Sequence, residues 1–133
     1  MDYSTLRDKA FEALNNSYAP YSNFNVGAAI LLDNGKFIIG TNIENSSYGL
    51  TMCAERNAIF AAYSNGYLKE DIKAICIATN AGKLTPPCGA CLQVMSELIS
   101  NDIPIILTNK EEFKVYTLKD FLPIQFTGEN MNV

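Results

Sequence analysis

Cys88 and Cys91 lie three residues apart at the start of a predicted helix. Side chains at this spacing share one helical face, with Cβ atoms about 5–6 Å apart, so both sulfur atoms can bind one metal ion. Pro87 suits the first helical turn, where its missing N–H costs no hydrogen bond. A structural zinc site would need a second pair of ligands, but the sequence has no second Cys-x-x-Cys and no histidine. A further thiolate must come from Cys53 or Cys76, which are distant in sequence.

The absence of histidine excludes several classes of active site. Imidazole is the usual proton-transfer group near neutral pH and the commonest metal ligand. Serine and cysteine hydrolases with a catalytic histidine, two-histidine zinc proteases and facial-triad iron oxygenases therefore cannot be assembled from this chain. Acid–base chemistry must depend on carboxylates, cysteine, lysine, tyrosine or metal-bound water.

The periodicity of apolar residues predicts three helices and five short strands. We expect helices at residues 4–16, 53–64 and about 88–100, strands at 26–32, 37–42, 72–79, 103–108 and 113–117, and a helical turn at 118–122. This alternation indicates an α/β fold, a three-layer α/β/α sandwich with a five-stranded mixed sheet. Residues 1–126 form one predicted domain, and residues 127–133 form a polar C-terminal tail.

Charge and hydropathy restrict the partners and the location of the chain. The net charge of −4 and the pI near 4.7 argue against nucleic-acid binding, which needs a basic surface. Apolar stretches are far shorter than the roughly 20 residues of a membrane-spanning helix. No secretory signal is evident, so we expect a cytoplasmic protein that binds a small molecule and no membrane.

A second motif, Cys53-Ala54-Glu55, precedes Pro87-Cys88-Gly89-Ala90-Cys91. The combination matches the zinc deaminase signature in its all-cysteine variant. Three cysteine ligands would hold one zinc ion per chain and leave a fourth position open to water, as in catalytic sites. Glu55 would then act as the catalytic proton shuttle. A Cys-x-x-Cys alone is a redox or structural motif at least as often, so the prediction depends on the combination.

Three thiolates around Zn²⁺ leave a net charge of −1, which opposes the ionisation of bound water. The N-termini of the two helices that carry the ligands direct positive dipole ends towards the sulfurs. Arg56 lies on the same helical face as Cys53 and is predicted to donate charge-assisted hydrogen bonds to the sulfurs. The alternative is an ordinary surface arginine.

Further segments extend the similarity over nearly the whole chain: Tyr18-Ala19-Pro20-Tyr21-Ser22-Asn23-Phe24, Val26-Gly27-Ala28-Ala29 and Asn42-Ile43-Glu44-Asn45. With the two cysteine motifs, the chain resembles the small, homotetrameric type of cytidine deaminase. The resemblance implies the α/β/α fold, one zinc ion per chain and a homotetramer whose sites are completed by neighbouring subunits.

The resemblance also implies how a nucleoside substrate is bound. Asn42 and Glu44 would hydrogen-bond the ribose hydroxyls, and Glu44 would repel a 5′-phosphate. Phe24 would pack against the nucleoside, and the backbone of Ala54 would contact the pyrimidine edge. As alternatives, Asn42 and Glu44 are turn formers at a strand end, and Phe24 is a plain core or interface aromatic.

Two aromatic residues have roles that come only from the resemblance. Tyr48 would reach the site of a neighbouring subunit, and Phe126 would stack on the base. A loop tyrosine needs no partner, however, and Phe126 is equally well explained as a core or interface aromatic. One departure is Leu92, where relatives usually carry arginine, so Arg56 would bear more of the charge compensation. Cys76, amid apolar residues, is predicted to be a buried thiol.

The sequence therefore predicts a zinc-dependent hydrolase that converts cytidine and deoxycytidine to uridine and deoxyuridine plus ammonia, as in pyrimidine salvage. Zinc hydroxide would attack C4 while Glu55 moves protons. Three alternatives stay open: a blasticidin-type nucleoside-antibiotic deaminase, an RNA-editing or RNA-binding module on the same scaffold, and a purely structural zinc protein.

Overall fold

A mixed sheet of five strands organises residues 2–131, the part of the chain that the computed structural model describes. The strands are β1 (Val26–Leu32), β2 (Phe37–Thr41), β3 (Ile72–Thr79), β4 (Ile105–Thr108) and β5 (Phe113–Tyr116). Their order across the sheet is β2-β1-β3-β4-β5. The β3–β4 pair is parallel and the other neighbouring pairs are antiparallel. The predicted five-stranded mixed sheet is therefore confirmed.

Helices cover both faces of the sheet. They are α1 (Ser4–Leu14), α2 (Ala54–Ser64), α3 (Gly89–Leu98) and the single turn α4 (Leu118–Phe121). Short 3-10 segments lie at Tyr48–Leu50, Lys69–Asp71 and Gly128–Met131. One apolar cluster joins α1 to the sheet, and a larger one joins α2 and α3 to the opposite face. This arrangement confirms the three-layer α/β/α sandwich.

The close approach of α2 to the sheet depends on Gly40 in β2. A Cβ atom at this position would overlap the backbone of Ala54 and Ala58 in α2. Glycine is the one residue without a Cβ, so it lets the helix backbone rest directly on the strand. The N-terminus of α2, which follows Cys53, is thereby held against the sheet.

The predicted boundaries agree best for the two central strands, β1 and β3, which match residue for residue. Other elements are shorter than predicted. β4 begins at Ile105 rather than at residue 103, because Pro104 has no N–H to donate to a strand partner. Helix α2 begins at Ala54 and α3 at Gly89, each one residue later than predicted, because Cys53 and Cys88 have extended backbones.

The predicted division into a domain of residues 1–126 and a tail of residues 127–133 stays a prediction. Positions 1, 132 and 133 lie outside the described residues. Within residues 2–131, no helix has the length and apolar character needed to cross a bilayer.

Candidate zinc site and active-site pocket

The side chains of Cys53, Cys88 and Cys91 converge at the adjoining N-termini of α2 and α3. Cys53 is the N-cap residue of α2, Cys88 is that of α3, and Cys91 lies in the first turn of α3. Their three Sγ atoms lie within 4.8 Å of one another, and those of Cys53 and Cys88 are 4.0 Å apart. The structure therefore brings together the three predicted ligands across 35 residues of sequence.

This sulfur triangle fits a zinc ion. Tetrahedral Zn–S bonds of about 2.3 Å place neighbouring sulfur atoms roughly 3.8 Å apart, close to the spacing between Cys53 and Cys88. Among residues 2–131, the group contains no fourth cysteine, aspartate or glutamate ligand. The donor set would therefore hold zinc with one coordination position left open, which is the arrangement of catalytic sites.

The thiol of Cys53 is the most acidic of the cluster. Its pKa is lowered to about 5, chiefly by a hydrogen bond from the Cys91 thiol and further by Arg56. The pKa of Cys91 is raised, first because its proton is held in that bond and then because the group is buried. Since zinc binds thiolates, Cys53 is the ligand that is already ionised when the metal arrives.

Arg56 supplies positive charge directly to the cluster. Its Nη2 atom donates a hydrogen bond to the Sγ atom of Cys53 at 3.5 Å. The bond to Cys53 raises the pKa of the guanidinium, and Cys91 contributes in the same direction. Arg56 therefore stays charged beside the sulfurs.

Glu55 is a buried carboxyl group next to the sulfur cluster. Its side chain is 5% exposed and lines the same pocket as Cys53 and Cys88. Burial raises the pKa of Glu55 to about 7, and the neighbouring Cys53 thiolate adds to the rise. A carboxyl group with a pKa near neutrality can both accept and return a proton at physiological pH.

The pocket has a volume of about 360 Å³ and opens beside the sulfur cluster. It is lined by Ser22, Phe24, Val26, Asn42, Glu44, Thr51, Met52, Cys53, Ala54, Glu55, Ile77, Thr79, Thr85, Pro86 and Cys88. These residues come from β1, β3, the N-termini of α2 and α3, and the loops that precede them. A mainly apolar cleft with a few converging polar groups is typical of a site for a small molecule.

Residues 2–107 match the family described as the cytidine and deoxycytidylate deaminase zinc-binding region. The chain belongs to this family. The matched range includes all three cysteines and Glu55, and the cysteine cluster fits the one zinc ion per chain that this zinc-binding region implies. The predicted family, enzyme class and cofactor are confirmed.

Relatives support the same conclusion over the full length of the chain. A cytidine deaminase from Halalkalibacterium halodurans is 47% identical over 133 residues, which cover 99% of each chain. A cytidine deaminase from Sporosarcina psychrophila is 39% identical over 133 residues, which cover 99% of this chain and 96% of the relative. The crystal structure of a cytidine deaminase from Burkholderia pseudomallei superposes with a TM-score of 0.90 at 42% identity, covering 95% of this chain and 100% of that one.

Four residues that the family resemblance assigned to the substrate line the deaminase pocket: Phe24, Asn42, Glu44 and Ala54. The Glu44 carboxylate accepts hydrogen bonds from the backbone N–H groups of Tyr21 and Ser22 at 2.9 and 3.1 Å and from the Ser22 hydroxyl. These bonds, the Ser22 hydroxyl first, hold the pKa of Glu44 below its usual range. Glu44 is therefore a fixed negative charge at the rim of the pocket.

Asn42 is 7% exposed and holds two parts of the pocket wall together. Its Oδ1 atom accepts from the Val26 N–H at 3.0 Å, and its Nδ2 atom donates to the Phe24 carbonyl at 2.7 Å. One N–H and one lone pair of the amide remain for other partners. The side chain thus has a structural function in addition to the predicted contact with ribose.

Tyr48 and Phe126 lie outside the pocket of the single chain. Tyr48 is 75% exposed and packs edge-on against Tyr21, with ring centroids 6.0 Å apart. Phe126 is 59% exposed, and its carbonyl accepts a hydrogen bond from Gln93. The contact of Tyr48 with a neighbouring subunit's site and the stacking of Phe126 on the base stay predictions.

Sequence reasoning assigned no role in the site to several residues that line the pocket: Ser22, Val26, Thr51, Met52, Ile77, Thr79, Thr85 and Pro86. Thr79 is the polar residue at the end of β3, and the end of a central strand is where an α/β sheet presents side chains to a ligand. The position of Thr79 at the end of a strand is therefore the sequence feature that could have identified it. The loop residues have no such feature, because their approach to the pocket depends on contacts between distant parts of the chain.

Proposed function

We propose that this chain hydrolyses cytidine and deoxycytidine to uridine and deoxyuridine, with release of ammonia. The observation that supports it most directly is the triangle of three cysteine sulfurs with the buried carboxyl group of Glu55 beside it. The relatives that match the whole chain carry the name cytidine deaminase, which supports the choice of substrate.

Cys53, Cys88 and Cys91 would hold zinc, which when bound supplies a Lewis acid that makes water a nucleophile at neutral pH. Glu55 accepts the proton of the attacking water and delivers it to N3 of the pyrimidine ring. The same carboxyl group would then take the proton of the hydroxyl group added at C4 and pass it to the departing amine, so that the C4–N bond breaks, ammonia leaves and the C4 carbonyl of uridine forms. Its pKa of about 7 suits a group that takes and gives a proton in one cycle.

Arg56 and the two helix N-termini offset the charge of the thiolates. Three thiolates and a divalent cation sum to −1, which weakens the attraction for developing hydroxide. The hydrogen bond from Arg56 to Cys53 withdraws electron density from one sulfur. The N-termini of α2 and α3 add positive partial charge at the same place.

In this proposal the substrate is bound as a free nucleoside. Phe24 packs against the base, the backbone of Ala54 meets the pyrimidine edge, and Asn42 and Glu44 contact the sugar. The fixed carboxylate of Glu44 at the pocket rim would repel a 5′-phosphate, which favours nucleosides over nucleotides.

We further propose a cytoplasmic homotetramer that acts in pyrimidine salvage. Tyr48 and Phe126 are large aromatics that are exposed in the single chain, and a neighbouring subunit would bring each of them to a pocket. Sedimentation of the zinc-loaded protein at micromolar concentration tests this, and a monomer with full activity would contradict it.

The alternatives are less favoured. A nucleoside-antibiotic deaminase would have to differ where the sugar is bound, and the full-length relatives are named for cytidine instead. An RNA-editing module would need a basic surface, whereas the net charge is −4. A purely structural zinc protein would hold its metal with four ligands, but the sulfur group offers three.

The decisive experiment combines metal analysis with a cytidine deamination assay on the wild type and Glu55→Gln. We expect one zinc ion per chain in both proteins, and a loss of kcat of about 10²- to 10⁴-fold in the variant. Glu97→Gln, an exposed change on α3, is the control and should keep full activity. A wild type without cytidine deamination, or Glu55→Gln with normal turnover, would contradict the proposal.

A further inference from the structure

Thr79, the last residue of β3, has a buried hydroxyl group with no hydrogen-bond partner within residues 2–131. The side chain is 2% exposed and lines the active-site pocket. A buried hydroxyl that makes no hydrogen bond destabilises the fold, and most buried polar groups in native proteins are paired. The residue therefore has an unused hydrogen-bonding group at a ligand site.

The direction of the Thr79 side chain follows from the alternation along β3. Cys76 and Ala78 belong to the cluster beneath α1, whereas Ile75 and Ile77 belong to the cluster beneath α2 and α3. Residues two apart in a strand share a face, so Thr79 lies on the side of Ile77. Ile77 also lines the pocket, which places the hydroxyl on the pocket side of the sheet.

The sheet forms the floor of the pocket, and Thr79 is the polar residue among the strand residues that line it. The strand residues that line the pocket are Val26, Ile77 and Thr79, and Val26 is the cross-strand partner of Thr79. Thr79 and Glu55 are 2% and 5% exposed, whereas Glu44 at the rim is solvent-accessible. Thr79 and Glu55 are therefore both buried polar residues of this pocket, away from its exposed rim at Glu44.

We propose that the Thr79 hydroxyl is a substrate-binding group that hydrogen-bonds the pyrimidine base of the nucleoside. This rests on the proposed function, because the reacting ring must lie at the Glu55 end of the pocket and the sugar towards Glu44. A hydroxyl both donates and accepts, so it can pair with a ring nitrogen or an exocyclic oxygen. Binding of substrate would satisfy a group that the free protein leaves unpaired.

Thr108 provides a matched control on the neighbouring strand. It ends β4, is 1% exposed, and is adjacent to Ala78 in the parallel register. Its Oγ1 atom accepts from the Arg7 guanidinium at 2.7 Å and lies 2.9 Å from the Glu112 carbonyl. The two threonines thus differ in whether the protein itself satisfies the hydroxyl.

The test replaces each hydroxyl by a methyl group, with Thr79→Val and Thr108→Val. Cytidine affinity is measured by calorimetry in the zinc-loaded Glu55→Gln background, in which turnover is expected to be about 10²- to 10⁴-fold slower. We expect Thr79→Val to weaken cytidine binding about three- to tenfold, the effect of one neutral hydrogen bond, and to weaken 2′-deoxycytidine by the same factor. In the otherwise wild-type enzyme, KM should rise by a similar factor with a smaller change in kcat.

Urea unfolding without nucleoside separates a ligand contact from a structural one. Thr79→Val should keep or raise the unfolding midpoint, because it removes an unpaired buried hydroxyl. Thr108→Val should lower the midpoint and leave cytidine affinity unchanged, because its hydroxyl is bonded within the protein.

Three results would overturn the inference. They are an unchanged cytidine affinity in Thr79→Val, a fall in its urea unfolding midpoint as large as that of Thr108→Val, and a loss of affinity for cytidine without a loss of affinity for 2′-deoxycytidine. The last would assign the contact to the 2′-hydroxyl of the sugar. If the wild type deaminates cytidine and Thr79→Val binds cytidine with unchanged affinity, only this inference is refuted. A wild type that neither binds nor deaminates cytidine refutes the proposed function, and this inference with it.

Discussion

The Nη2 atom of Arg56 lies 3.5 Å from the Sγ atom of Cys53, the residue that precedes α2. The two residues are three apart in sequence, so the first turn of the helix alone brings them together. A predicted metal ligand and the cation beside it are thus encoded in one helical turn.

Replacing Arg56 with glutamine should weaken the zinc site without removing it. Partners of metal ligands typically contribute 10- to 100-fold to metal affinity or activity, and Arg56 is hydrogen-bonded to one of the three sulfurs. We expect a 10- to 100-fold lower kcat/KM and faster loss of zinc to a chelator. Lys73→Gln, at an exposed position of β3, is the control and should change neither quantity.

The free energy of unfolding of the zinc-free protein should depend on pH through Glu55. Burial raises its pKa from the usual value of 4.5 to about 7, so the folded state binds this proton more tightly than the unfolded state. Wild-type stability therefore falls as pH rises from about 4.5 to 7, and Glu55→Gln removes the penalty. By linkage, the variant should be more stable at pH 8 by about 3 kcal/mol, and the difference should vanish below pH 4.5.

Urea titrations of both zinc-free proteins under reducing conditions, at pH 4 and pH 8, measure this difference. Glu97→Gln, at an exposed position of α3, should keep the wild-type pH dependence. An equal stability of wild type and Glu55→Gln at pH 8 would contradict the burial of an ionisable carboxyl group.

Removal of zinc should expose Cys53 as the most reactive thiol of the chain. Its pKa of about 5 makes it a thiolate near pH 6, whereas burial raises the pKa of Cys76 to about 12. Peptide mapping after brief iodoacetamide treatment of the zinc-free protein should find alkylation first at Cys53 and none at Cys76. Zinc should protect Cys53, and equal labelling with and without metal would argue against its role as a ligand.

Asn80 should position Phe24 at the pocket. Its Oδ1 atom accepts from the Asn25 N–H at 3.0 Å, and its Nδ2 atom donates to the Asn23 carbonyl at 3.0 Å and to the Asn25 Oδ1 atom at 2.9 Å. Asn23 has a φ of 59°, a conformation that needs such support. We expect Asn80→Ala to lower stability by about 1–3 kcal/mol and to raise the KM for cytidine several-fold.

In Asn80→Ala, kcat should fall less than the KM rises, because the zinc site is untouched. Asn34→Ala, in the turn between β1 and β2, is the control for loss of a turn-stabilising amide. If both variants gave the same KM, Asn80 would have no positioning function.

Leu92 should contribute through packing. It follows the ligand Cys91, is 9% exposed and belongs to the apolar cluster beneath α2 and α3. Leu92→Ala should cost about 2–5 kcal/mol of unfolding free energy, as do other truncations of buried leucine. Leu68→Ala, at a 51% exposed position, should cost far less. Zinc content should be unchanged in both, and zinc loss in Leu92→Ala would indicate that packing here also holds the ligand helix.

The candidate zinc ligands and the strands β1 and β3 were predictable because patterns of a few neighbouring residues in the sequence specify them. Alternating and continuous apolar runs place β1 and β3 at the observed residues, and cap positions place Cys53 and Cys88 at helix starts. The Cys-Ala-Glu and Cys-x-x-Cys spacings identify ligands because backbone geometry over three residues determines which side chains share a helical face.

The sequence by itself thus determined which residues could hold a metal and which class of sheet could carry them. The tertiary structure alone decided that the unpaired hydroxyl of Thr79 forms part of the pocket floor, that Asn80 holds the loop of Phe24, and that Tyr48 and Phe126 lie outside the pocket of their own chain. Pairing, burial and exposure of such groups depend on segments more than 50 residues apart, as with Asn25 and Asn80. No local pattern encodes them, because contacts across the sheet form only when the whole chain has packed.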